Sequence, residues 1–215
     1  VGFYATSFNN GESYWIDNVS VKEYLGQEVV PDSGCGSWLF EPQSTNLITY
    51  SEDFSQWNKG ASTTISPNYA ISPDGTQNAT RFQTPTGGGT YLSLATSMTI
   101  GSIYTLALYL KNNGGENIDI GVASSSSVGT KTASIEVNLT SEWVRYELSF
   151  TADSNSNFVF IDNINNANAI DCLVWGAQLE QQSYATSYIP TNGEANGVTR
   201  NQDVCTNGGS LATIN

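Results

Sequence analysis

The chain has 215 residues, 11% of them aromatic and only 13% charged, and its seven Lys plus Arg against twenty Asp plus Glu give a net charge of −13. That length suits one large or two small domains with a real core, the aromatic content argues against disorder, and the negative charge repels phosphate backbones, which excludes nucleic acid as an expected partner. Histidine is absent, so Ser-His-Asp chemistry, His-based acid–base catalysis and His-ligated zinc are excluded within this chain.

From the first residue, Val1-Gly2-Phe3-Tyr4 has neither Met nor a basic n-region and does not read as a signal peptide. No run of about 18 apolar residues follows anywhere, so no membrane insertion is expected. Tyr14 to Glu23 reads as a strand, with Asn9-Asn10-Gly11 as the turn before it. Residues 1–24 are therefore expected to be the last two strands of a preceding β-module, a terminal hairpin cut off from its own domain. A related pattern recurs at Leu173 to Glu180. Pairing Ile16 with Val174 sets Val19 against Ala177 and Val21 against Leu179, a match of pattern with little identity.

Residues 25–36 read as a linker, 37–191 as one sandwich, and 192–215, rich in Gly, Asn and Thr, as a linker into a following module. Helical three-and-four spacing is almost absent from the central part. Short runs of β-formers occupy it instead: Tyr104 to Leu110, Asn117 to Val122, Ser134 to Leu139, Trp143 to Phe150, Phe158 to Ile161 and Leu173 to Leu179, each bounded by Ser, Asn, Asp or Gly. Such spacing predicts an all-β sandwich. Cys35 and Cys205 lie just outside the two ends of the central module; a disulfide between them and two free thiols are both open readings. Cys172 starts an apolar strand and reads as a small core residue.

The segment Leu39-Phe40-Glu41-Pro42-Gln43-Ser44-Thr45-Asn46-Leu47-Ile48-Thr49-Tyr50-Ser51-Glu52-Asp53-Phe54-Ser55-Gln56-Trp57 resembles the opening of a module common in bacteriophage tail, fibre and spike proteins. Its usual companion also occurs: Trp175-Gly176-Ala177-Gln178-Leu179-Glu180, then Tyr184-Ala185-Thr186-Ser187-Tyr188-Ile189-Pro190-Thr191 and Val198-Thr199-Arg200. The resemblance implies a jelly-roll β-sandwich of the concanavalin-like kind, similar to family 4 and family 22 carbohydrate-binding modules. It also implies a place on the virion surface, in a tail fibre or spike that forms a homo-oligomer with other virion subunits. Such sandwiches often carry a structural calcium, but the two matching positions here hold Ser55 and Trp175. Glu52 and Asp53 are the carboxylates nearby that could take over, since calcium needs six to eight oxygens from any suitable source.

Sugar binding needs flat aromatic faces with planar polar groups around them. Trp57, Trp143 and Trp175 read as packing residues, Trp175 on one face with Leu173, Ala177 and Leu179. Strand alternation turns Leu106, Leu108 and Leu110 inward and Tyr109 outward; it turns Asp119 away from Ile118 and Ile120, and Arg145 and Glu147 away from Val144, Tyr146 and Leu148. If those strands are neighbours, Tyr109, Asp119, Arg145 and Glu147 share one exposed face, a candidate glycan platform; an ordinary solvated face with cross-strand charge pairs is the plain alternative. Glu136, Glu142 and Glu147 show no spacing that singles out a glycosidase pair, so no catalytic residue is assigned and the chain is not expected to be an enzyme. The function expected is binding of host surface polysaccharide. A structural spacer or decoration role, or service as the accessory module of a depolymerase, are the rival readings.

Overall fold

A computed structural model of the chain describes residues 41–153, 158–163 and 168–203. The expected N-terminal hairpin, the 25–36 linker, Cys35, Cys205 and residues 204–215 lie outside the described residues.

The fold is all-β, a jelly-roll sandwich of two five-stranded antiparallel sheets plus one two-stranded ribbon. The strands are β1 (Ser44–Asn46), β2 (Asn58–Lys59), β3 (Thr64–Ala70), β4 (Ala79–Thr84), β5 (Tyr91–Ala95), β6 (Ile103–Asn112), β7 (Ile118–Ala123), β8 (Lys131–Val137), β9 (Val144–Thr151), β10 (Phe158–Asn163), β11 (Ile170–Glu180) and β12 (Val198–Arg200). The first sheet runs β2-β5-β10-β7-β8 and the second β3-β4-β11-β6-β9, while β1 pairs with β12.

The core forms because alternate residues of both sheets face each other. Leu92, Leu94, Ile118, Ile120, Val122, Val159 and Ile161 come from the first sheet; Phe82, Leu106, Leu108, Leu110, Cys172, Val174 and Leu179 come from the second. Cys172 is fully buried, and burial raises its thiol pKa out of reach of neutral pH, as expected for a small core residue. Trp57 is also buried, its ring on Phe54 and its Nε1 donating to the Tyr50 carbonyl.

Two expectations are corrected here. Residues from 192 onward do not simply lead away from the sandwich. Ser44 pairs with Arg200, Thr45 with Thr199 and Asn46 with Val198, and Arg200 ion-pairs with the buried Glu41. The chain is therefore stitched into the domain at least to Asp203, whose carboxylate accepts from the Glu41 backbone N–H.

The second correction concerns Trp175. Opposite β6, Trp175 pairs with Tyr109 but Gln178 pairs with Ala107, so β11 carries one extra residue between them. Gly176, at φ +64°, supplies the left-handed backbone that this bulge needs. The extra residue reverses the alternation. Ala177 and Leu179 face the core, whereas Trp175 lies on the opposite side, against Tyr109 and Tyr188.

Candidate functional site

Of the four residues expected on one face, the structure brings together three. In the second sheet Tyr109 is paired with Arg145, and Ala107 with Glu147. Asp119 sits on β7, in the first sheet, paired with Asp162 and Glu136. Periodicity had set the face of Asp119 correctly relative to its own strand but could not assign the strand to a sheet.

The Tyr109, Arg145 and Glu147 face is not an open platform. After β11 the chain turns back and lies across it, and side chains of the sheet satisfy the returning backbone. Arg145, whose side chain is 1% exposed, donates through Nη1 to the Thr186 carbonyl at 2.8 Å. Gln178 accepts from the Ile189 N–H at 2.7 Å and donates to the Thr186 carbonyl at 3.3 Å. Fully buried Glu180 accepts from the Thr186 N–H, the Thr186 hydroxyl and the Ser44 hydroxyl. Asn46 bridges the carbonyls of Ala177 and Ile189. Burial raises the Glu147 pKa, opposed by the Arg145 charge 3.8 Å away. Most members of the two motifs quoted above are thus engaged in closing the domain.

Glu52 and Asp53 also serve the fold. Glu52 accepts from the Tyr188 hydroxyl and the Asn78 amide, each at 2.9 Å. Asp53 caps the 3₁₀ turn Phe54–Gln56 by accepting from the Ser55 N–H and hydroxyl and the Gln56 amide, which lower its pKa. Both line a cleft of about 670 Å³ with Asn68, Asn78 and Glu194. Their oxygens are taken by neutral donors, and among the described residues no group of three His, Cys, Asp or Glu side chains is placed to hold a metal ion. The residues present do not fit the calcium site that the resemblance implied.

On the outer face of the first sheet Phe160 is buried, while the side chains of Lys131, Asp119 and Asp162 keep 25%, 12% and 10% of their surface exposed. The strands of this sheet turn Ile118, Ile120, Val159, Ile161 and Leu92 to the core, which leaves Tyr91, Asp162, Asp119 and Glu136 in one row, each register partner of the next. The adjacent row is Ser93, Phe160, Gly121 and Ser134. Lys131 enters from β8, where a bulge between Val122 and Ala123 sets it opposite Ala123. Its ammonium reaches Asp119 at 2.7 Å and Asp162 at 3.3 Å, with the Phe160 ring 5.3 Å away. Gly121, with no side chain, lies between Phe160 and Ser134, and a Cβ there would strike the Ala133 carbonyl and Ser134.

Burial raises the Asp162 pKa, while the Lys131 charge pulls it down and the Asp119 charge adds to the rise. The β7–β8 connection folds over one end of this face. Val128 packs with Phe160 and Ala123, next to Tyr91, and the Ser93 hydroxyl donates to the Ser126 carbonyl. Val128 does so at φ +54°, a conformation that costs a β-branched residue on the order of 1–3 kcal/mol.

Sequence reasoning missed Lys131, Asp162, Tyr91 and Phe160. The strand read as Phe158 to Ile161 continues to Asn163, and carrying its alternation two residues further would have put Phe160 and Asp162 on one face. Lys131 carries no such signal, because the bulge beside it breaks the period.

No protein-family model matches this chain. No curated protein matches it either. Among solved structures, the xylan-binding domain CBM22-1 of Paenibacillus barcinonensis Xyn10C superposes with a TM-score of 0.45 at 12% identity, over 66% of this chain and 94% of that one. A family 4 carbohydrate-binding module gives 0.45 at 15%, over 62% and 99%. The enzymatically active domain of bacteriophage CBA120 tailspike protein 4 gives 0.41 at 14%, over 63% of this chain and 21% of that one. What this chain is similar to in them is the β-sandwich fold.

Proposed function

We propose that this chain is a non-catalytic, glycan-binding module of a virion appendage, displayed on the virion surface of an oligomeric tail fibre or spike, and that it holds host surface polysaccharide on the outer face of the first sheet. The observation that carries the reading is the Lys131 ammonium clamped between Asp119 and Asp162 beside Phe160. Side chains fixed in this way lose little entropy when a ligand arrives, so their spare donors and acceptors bind hydroxyl groups cheaply. Tyr91, partly exposed at the end of the same row, offers a ring for the C–H face of a pyranose. The strained Val128 supports the same reading, since strain of this kind gathers at ligand clamps. The sequence motifs that resemble phage tail modules support the virion placement.

Adhesion by such a shallow face is weak per site, and repetition along an oligomer supplies avidity. The role proposed is binding and not hydrolysis, because two of the three carboxylates in the row, Asp119 and Asp162, close on one shared ammonium, and Glu136 stands beside them without an assigned partner carboxyl for acid–base work. The test is binding of the purified chain to an array of bacterial surface polysaccharides. Lys131→Met and Tyr91→Ala are each expected to weaken retention at least tenfold, with near-native circular dichroism and no release of reducing sugar from any polymer retained. Retention undiminished in both variants, or absent from the parent chain on every polysaccharide, would overturn the assignment.

A further inference from the structure

A second polar and aromatic array lies on the other sheet, away from the face just assigned. It is centred on Arg81 of β4. The guanidinium is held bidentately by Asp171 of β11, Nε to Oδ1 at 2.8 Å and Nη2 to Oδ2 at 2.6 Å. Asp171 accepts in addition from Gln83 at 3.1 Å and Asn113 at 2.9 Å, so four donors fix its position. Hydrogen bonding to Arg81 keeps the Asp171 carboxyl below its ordinary pKa. The Tyr69 ring lies 4.9 Å from the guanidinium carbon, and its hydroxyl accepts from Nη1 at 3.3 Å.

Tyr69 reaches that place through a backbone irregularity. Ser66 pairs with Arg81 and Ala70 with Ala79, so four steps along β3 match two along β4. Within this bulge Asn68 has φ +54°. Ile65 packs toward the core, and plain alternation would send Tyr69 the same way; the bulge turns it out beside Arg81, where it is 46% exposed. Bulges that re-aim one side chain are characteristic of functional positions. Exposing a large ring there gains nothing for the core, and the saturated Asp171 makes the array rigid.

We propose that Tyr69, Arg81, Gln83 and Asn113 form a second saccharide site, specific for an uncharged pyranoside. One face of the Tyr69 ring is taken by the guanidinium, and the other is free to meet the C–H face of a sugar. The hydrogens of Nη1 and Nη2 engaged by neither Asp171 nor the Tyr69 hydroxyl donate to ring hydroxyls. The class is uncharged because Asp171 already neutralises Arg81 and the chain as a whole carries −13, which repels uronates and sialates. The outer faces of two packed sheets point apart, so a chain with both sites could hold two polysaccharide strands at once.

The experiment is a ¹⁵N NMR titration of the full chain with cellohexaose, xylohexaose, β-1,4-galactotriose and, as the anionic arm, trigalacturonate. Saturable shifts at the Arg81 Nε–H and at the Tyr69 and Gln83 amides are expected with at least one uncharged oligosaccharide. Tyr69→Ala and Arg81→Lys should each weaken those shifts tenfold or more, and the same shifts should persist in Lys131→Met. Shifts confined to Asp119, Lys131 and Asp162 would overturn the second site and leave the first standing. Shifts confined to Tyr69, Arg81 and Gln83 would do the reverse. No shift at Tyr69 with any uncharged probe, or stronger binding of trigalacturonate there, overturns the proposal.

Discussion

A methyl group added at residue 176 has no ordinary place to go. The backbone there sits at φ +64°, and the new carbon would stand 3.3 Å from the Tyr109 ring and 3.4 Å from that of Tyr188. A left-handed backbone costs a non-glycine residue about 1–2 kcal/mol, and the two rings can give way only by loosening their contacts with Trp175. Gly176→Ala is therefore expected to destabilise the fold by about 2–3 kcal/mol, a fall in Tm of about 4–10 °C for a domain of this size. Thermal unfolding followed by Trp fluorescence reads it directly, since Trp175 reports on the affected cluster. A loss under 0.5 kcal/mol would mean that the bulge relaxes and does not set the direction of the Trp175 side chain.

The segment after β11 behaves as an added layer whose backbone partners are side chains: Arg145, Gln178, Glu180 and Asn46 take the places that a sixth strand would fill. Arg145→Ala should on this account damage stability and spare ligand binding. Removing a buried guanidinium takes from the Thr186 carbonyl its shorter hydrogen bond, leaving the longer one from Gln178, and takes from Glu147 its ion pair, a loss of about 3 kcal/mol, while binding to polysaccharide per folded molecule stays within twofold of the parent. Chemical denaturation paired with binding measured at low denaturant separates the two effects. Much of this element structure was legible beforehand. Alternation placed Leu106, Leu108 and Leu110 inside and Arg145 with Glu147 outside, because period two is a local property of the chain. What failed was every inference that needed the third dimension. Asp119 went to the other sheet because strand order is not periodic. Trp175 changed faces because its bulge needs only a Gly, which elsewhere means a turn. The outer face of β6 and β9 looked solvated because the residues that cover it, 181–191, contain no strand pattern of their own.

At the scale of the whole molecule, two sets of carboxyl groups pull the pH dependence in opposite directions. Asp162 and Glu147 have pKa values raised by burial above 3.8 and 4.5. The folded state binds their protons more tightly than the unfolded chain does, so these groups favour folding increasingly as pH falls from above their raised values toward the ordinary ones. Asp53, Asp74 and Asp171 have values lowered below 3.8 by hydrogen bonds from Ser55, Ser72 and Arg81. Their contribution is complete above 3.8 and is lost as pH falls through the lowered values. Repulsion among the charges that sum to −13 at neutral pH adds to the first trend, since it fades as the chain nears its isoelectric point of about 4.1. Stability should accordingly rise as pH falls from 8 toward the ordinary carboxyl values of 4.5 and 3.8, then drop below 3.8 as the lowered carboxyls are protonated. Salt separates the causes, because the repulsive part is screened over a length of about 10 Å at 0.1 M and about 3 Å at 1 M, whereas buried Asp162 and partly buried Glu147 are screened less. In Tm measured across pH at both ionic strengths, 1 M salt should lift the pH 8 value most and leave a residual rise as pH falls toward the ordinary carboxyl values of 4.5 and 3.8. That residual rise should shrink in Glu147→Gln, and a rise unchanged by the substitution would remove Glu147 from the account and leave Asp162 and the net charge.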